Sequence, residues 1–153
     1  MAIVRQSKAC KSSFLGKIEK LGRMLQVDFI SCGMEAQKAA RLHHTYKDRT
    51  GNLTSSIGYA VAQNSKVLGE AGGTSQGSYQ MVSNGHLGVQ EARAIAQQES
   101  EGADALQLVV FAGMPYAKYV EQKGYSVLEP ARLYVGSELE ESIKETIRIV
   151  QNG

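Results

Sequence analysis

The stretch DRTGNLTSSIGYAV, Asp48 to Val61, joins a charged, glycine-containing turn to a run of alternating apolar residues. Leu53, Ile57, Tyr59 and Val61 are interleaved with Thr54, Ser56, Gly58, Ala60 and Ala62. Side chains of a strand point to opposite faces in turn, so this period of two predicts a strand beginning at Leu53 with one buried face. Gly51 and Asn52 turn the chain, and glycine is the residue that supplies the backbone freedom.

Upstream the period changes. Phe14, Ile18, Leu21, Leu25, Phe29, Cys32, Ala36 and Ala39 recur at steps of three and four, one face of an amphipathic helix. Ser12 or Ser13 is suited to cap its start. Unbroken to His44, it would be about 50 Å long. Gly22 and Gly33 each cost about 1 kcal/mol relative to alanine, which predicts a kink or break near one of them. Arg41, His43, His44, Lys47 and Arg49 gather where the helix dipole favours positive charge.

Downstream, QNSK reads as a turn and VLGEA as a partner strand. Residues 72–88 hold five glycines and four serines or threonines, composition that predicts a flexible loop. A short helix follows, with Val89, Ala92 and Ala96 on one face. ADALQLVVFAG is the most apolar run of the chain and reads as a central strand covered on both faces. Pro115 and Gly124 bracket a two-turn helix that packs Tyr116, Tyr119 and Val120 inward. The last helix spans about 127–150, irregular near Gly136. Two capping boxes compete for its start, Ser126 with Glu129 and Ser137 with Glu140. The expected class is α+β: long N- and C-terminal helices on a small antiparallel sheet, with a Gly-rich loop insertion. A single domain over 1–153 is expected, with a polar arm at 1–11.

Composition narrows the function. With 42% apolar and 21% charged residues, the 153-residue chain is ordinary for a soluble domain. A net charge of +2 is too mild for a dedicated nucleic-acid binder with a concentrated basic stripe. The two cysteines, Cys10 and Cys32, make neither a disulfide framework nor a zinc site, and Cys32 lies on the apolar stripe as a reduced thiol would. No early apolar run has signal-peptide length and none approaches a membrane span, so an intracellular chain is expected.

Catalytic chemistry finds little support. GEAGGTSQGS lacks the spacing of a phosphate loop, and flexibility explains its glycines better. His43 and His44 are adjacent and point about 100° apart on a helix, so they cannot share an ion. His86 has no carboxylate or cysteine at ligand spacing. The acidic pairs Glu99/Glu101 and Glu140/Glu141 suit solvated faces. A hydrolase would need Cys32, His43 and Asp48 clustered in a pocket. The basic run Lys38–Arg49 is the best nucleic-acid surface, although Asp48 dilutes its charge and Tyr46 is the one aromatic near it in sequence.

Two motifs stand out together. TGNL opens the first strand after a long helix, and PYAKYVEQKG follows a strand about sixty residues later. Their order and spacing, over about Ser12 to Gly124, resemble the family of tailed-bacteriophage tail-component proteins, which includes tail-completion, neck and head–tail joining proteins. The positions that match are Thr50, Gly51, Asn52, Leu53, Tyr116, Ala117, Tyr119, Glu121 and Gly124. Gly51 and Gly124 read as backbone requirements, Tyr116 as packing, and Glu121 as the position to test first as an inter-subunit contact. The chain departs from many relatives in having SVLEPARLYVGS where they carry an aromatic–proline segment, and in the Gly-rich insertion.

The resemblance implies a non-enzymatic virion protein without cofactor or metal, assembled as a homo-oligomeric ring in the bacterial host cytoplasm. Its partners would be itself and the neighbouring head-connector and tail proteins, with DNA passing transiently through the ring. It implies neither a membrane nor a small-molecule substrate. A tail terminator or other minor tail protein is the alternative within this class. A nucleic-acid-binding module using Lys38–Arg49 is the alternative outside it.

Overall fold

The apolar stripe beginning at Phe14 belongs to helix α1, Lys8–Leu42, which runs through both Gly22 and Gly33 without a break. A computed structural model describes residues 8–49, 51–72, 82–102 and 105–153, with side chains throughout these except at 8–12, 82–89 and 91. At 1.5 Å per residue the 35 residues of α1 reach about 52 Å. Ser12 and Ser13 fall inside this helix and do not cap it. Gly33 is retained for space: a Cβ there would lie 2.5 Å from Tyr59 Cδ2 and 3.0 Å from Leu108 Cδ1. Where a helix break was expected, the sheet presses against α1.

Beyond α1 the chain makes a single turn of helix, α2 (Asn52–Ser55), and then strand β1 (Ile57–Gln63). The strand therefore starts four residues later than Leu53. Strand β2 (Lys66–Gly72) returns antiparallel through Asn64 and Ser65, whose φ values of 48° and 60° are the left-handed pair that a tight hairpin turn demands. Strand β3 (Gln107–Ala112) pairs antiparallel on the other side, giving the order β2-β1-β3.

This order reverses the expected roles of the strands. β1, predicted to have one buried face, is the central strand, and Ile57 to Ala62 are all buried. β3, predicted to be central, is an edge strand whose residues are all half-buried. The reason lies in side-chain size. Ile57 packs with Ala36 and Ala40 of α1, while Ala60 and Ala62 face the other way, onto Ala96 of helix α3 (Val82–Glu99). Alanine on that face lets α3 come close, so a face that reads as neutral in a period-two pattern is sealed.

α3 also corrects the Gly-rich loop, since residues 82–88 are helical; residues 73–81 lie outside the described part of the chain. Once Ala92 and Ala96 dock on the sheet, each further residue adds a backbone hydrogen bond at little cost, and the helix extends toward its N-terminus.

A short helix α4 (Ala117–Gln122) leads to α5 (Glu129–Asn152). α5 lies antiparallel along α1. Its first turn places Ala131 with Ala36 and Ala40, and farther along Thr146 Oγ1 donates to Asp28 Oδ2 at 2.6 Å. That half-buried bond, with Thr146 itself buried, fixes the register of the two helices. Neither expected capping box forms. The N-cap is Leu128, with Pro130 in the first turn where its missing N–H leaves no bond unmade. The Ser137 hydroxyl bonds the carbonyls of Leu133 and Tyr134 inside the helix, which continues through Gly136. The fold is α+β, with α3 on one face of a three-stranded antiparallel sheet and α1, flanked by α5, on the other.

Candidate functional site

The turn quoted at the outset is held by one carboxylate. Asp48 Oδ1 accepts from the Gly51 N–H at 2.9 Å and Oδ2 from the Thr54 N–H at 3.1 Å, satisfying donors at the start of α2. Gly51 has φ 72°, as its place in the turn implied. The buried Tyr46 hydroxyl meets Thr54 Oγ1 at 2.9 Å, and burial is the main reason its pKa is raised. Leu53 is buried rather than the first residue of a half-buried strand, and Asn52 is buried beside it.

The second motif ends in the same place. Gly124 has φ 85°, and its N–H bonds Glu121 O at 3.0 Å while the Tyr125 N–H reaches Val120 O at 3.4 Å, the paired bonds of a left-handed helix stop. Ala117 is buried in one cluster with Leu53, Tyr46, Ile57, Met114 and Val127. Thr45 and Ser126 lace the two loops: the Ser126 N–H donates to Thr45 Oγ1 at 2.8 Å and the Thr45 N–H to Ser126 O at 3.4 Å. Glu121 Oε1 accepts the Leu128 N–H at 3.1 Å, at the N-cap of α5. The two motifs thus form one joint among α1, α4 and α5.

Within the joint the expected residues take unequal parts. Gly51, Asn52, Leu53, Ala117, Glu121 and Gly124 belong to it, and Thr50 lies outside the described residues. The tyrosines do not pack inward as expected: Tyr116 is 42% and Tyr119 66% exposed. Met114 and Val127 fill the interior instead. Met114 could have been found as the last apolar residue before Pro115; Val127 adjoins Leu128, and two apolar residues in a row set no face by periodicity.

Outside the joint is a mixed surface. Tyr116, Tyr119 and Tyr125 are exposed, as are Lys47, Arg49, Lys118 and Lys123. A shallow groove of about 190 Å³ runs between Tyr46, Lys47, Arg49, Leu53, Tyr116 and Val120. It is smaller than the roughly 300–1,000 Å³ of small-molecule sites and suits contact with a larger surface. The expected basic cluster is only partly available here. Lys38 bonds Glu35 at 3.3 Å. Arg41 turns inward and donates to Ser55 O at 3.1 Å and Ile57 O at 2.7 Å, so it ties α1 to β1 instead of complementing the end of α1. Burial lowers its pKa. His44 stacks on Tyr46, with ring centroids 4.2 Å apart.

The trio a hydrolase would need is not brought together. Cys32 is buried, and burial followed by the charge of Glu138 holds its thiol above the usual pKa, against thiolate formation. His43 lies eleven residues along the same helix and its extension, about 16 Å away at 1.5 Å per residue. Asp48 is committed to the α2 turn. Glu99 and Glu101 are exposed, and Glu140 pairs with Lys144 at 2.5 Å. Among the described residues no group of three His, Cys, Asp or Glu could hold a metal ion, and no helix is long and apolar enough to cross a membrane. No protein-family model, no curated protein and no solved structure matches the chain.

Proposed function

We propose that the chain is a non-enzymatic structural subunit of a phage or prophage particle, completing or joining the tail at the head–tail interface as a ring. The observation that carries this reading is the joint. The two segments whose order and spacing resemble tail-component proteins pack into one cluster, Leu53 with Ala117, and share the Thr45–Ser126 bonds. Segments about sixty residues apart that fold into one unit support reading them as a single signature. The joint also locks three helices together, which gives a ring subunit rigid outer faces.

Electron microscopy of particles made without this protein tests the role. Full heads beside unattached tails are expected; normal joined virions would sink it. Tails of uncontrolled length would favour the tail-terminator alternative.

One observation favours the nucleic-acid reading as second choice: Tyr116 borders the same groove as Lys47 and Arg49, an aromatic beside two cations, with the Asp48 carboxylate between them. That reading requires salt-dependent DNA binding by the isolated protein, lost in Lys47→Glu/Arg49→Glu.

A further inference from the structure

The sheet ends on two unequal edges. The Gly113 N–H bonds Ser56 O at 3.1 Å, and these two residues stand opposite each other where the β1–β3 register continues. Antiparallel bonds alternate, so Gln107, Val109 and Phe111 bond β1, while the N–H and C=O groups of Leu108, Val110 and Ala112 point away from it. Among the described residues no strand pairs with these outward groups. Exposed edges are commonly protected by charge, proline or a bulge. β2 carries Lys66, Glu70 and a register shift opposite Val61 and Ala62; β3 has none of these.

The helix layer decides which strand can pair there. Ile30 of α1 lies on Gly69 of β2 and Gly33 meets Leu108 of β3, which centres α1 over β1. Asp28, on the flank of α1 away from Ile30, bonds Thr146 of α5. α5 is therefore displaced towards β3 by about 8–10 Å, farther than the roughly 4.8 Å between strands, and overhangs the β3 edge. Two copies joined β3 to β3 about a two-fold axis would bring both α5 helices into that one space, so a self-paired dimer is excluded. The β2 edge meets no such obstacle, since Arg93 holds Glu70 over the α3 face. β2 and β3 run in the same direction, so β2 of one copy can continue the sheet beside β3 of another as a parallel pair. α5 then meets the next copy's α1 on its β2 flank. That flank exposes Val27 at 65% and Met34 at 54%, three residues before and four after Ile30. α5 brings exposed Ile147, one turn beyond Ile143, which lines an apolar groove with Leu106. The charges beside them, Glu140 with Lys144 and Glu35 with Lys38, are paired within their own helices.

We propose that β3 of one copy pairs edge to edge with β2 of a second, head to tail, so that one sheet runs on through the assembly. This rests on the ring reading above and gives it an interface. The subunit has the shape for it. Two helices side by side on one face take about 16–20 Å, three strands about 14 Å, and α3, the one described helix on the other face, about 10 Å. Wedges joined through their middle layer turn about an axis on the α3 side, and a head-to-tail contact whose rotation closes makes a ring.

Sedimentation velocity on the full chain with blocked edges tests it. Wild type is expected to associate. Val110→Pro removes an outward N–H and leaves the bonds to β1 in place; Glu70→Pro, opposite Ala60, does the same on β2. Each variant should be monomeric with the helical circular dichroism of wild type. Ala112→Pro blocks the next outward N–H with less loss of packing, and takes the place of Val110→Pro if that variant does not fold. Mixed, Val110→Pro and Glu70→Pro should form a one-to-one dimer and nothing larger, because each keeps one open edge. Variants that associate like wild type would overturn the edge contact and leave the ring reading to the particle experiment. Glu70→Pro that dimerises alone would overturn it in favour of β3 self-pairing. A mixture that stays monomeric would overturn the pairing of β3 with β2. Wild type that stays monomeric at every concentration would overturn a second copy as the occupant and leave the edge to a strand of another protein.

Discussion

β1 and β3 are neighbours in one sheet with opposite relations between sequence and place. β3 reads QLVVFA, an apolar run suited to an interior, and it forms an edge. β1 reads IGYAVAQ, with glycine and alanine at every second position, and it forms the centre. Hydrophobicity says how much a strand gains from burial; side-chain size says how close a neighbouring layer can come. The middle position went to the strand that could be approached from both faces.

If so, enlarging the small face of β1 is the most damaging change. Ala60→Leu would force a branched side chain between the sheet and Ala96, and an expected loss of about 3 kcal/mol is measurable by urea denaturation. A matched pair of near-isosteric changes sharpens the contrast. Val61→Thr buries a hydroxyl at a fully enclosed site and should cost about 2 kcal/mol, whereas Val110→Thr on half-buried β3 should cost less than about 1 kcal/mol. Equal losses would mean that the two strands are not differently enclosed. Gly33→Ala is expected to cost about 1 kcal/mol. Crowding against Tyr59 costs about 1–3 kcal/mol, and improved helix propensity offsets about 1 kcal/mol of it. Gly22→Ala, with open space around the new methyl, serves as its control and should stabilise by about 1 kcal/mol.

Features with a local cause were legible in the sequence. Gly51 and Gly124 sit at positive φ because turns and helix stops require it, and the hairpin at Asn64 and Ser65 follows from residues that tolerate that conformation. The helix stripes came from periodicity, and with them the α+β class. What stayed hidden depends on partners distant in sequence. Nothing near Gly33 reveals that Tyr59 lies on it, so the glycine looked like a weak point. Asp48 reads in the sequence as diluting the basic run and Glu121 as an inter-subunit contact; their carboxylates accept backbone N–H bonds from turns three to seven residues downstream, which residue type alone does not announce. Of the motif residues, Leu53 and Ala117 were joined in the core, while Tyr119 was left facing solvent. Tyr and Val were read as one inward face of a helix too short to define a face reliably by spacing.

The antiparallel seam between α1 and α5 also sets a timetable. The stripe on α1 is synthesised early, but the helix that flanks it begins only at Glu129, 87 residues after Leu42. At ribosomal speeds of roughly 5–20 residues per second, that leaves α1 waiting on the order of ten seconds with apolar surface uncovered. α1 thus leaves the ribosome well before the helix that completes its cover. A nascent chain of this design invites chaperone attention throughout its translation.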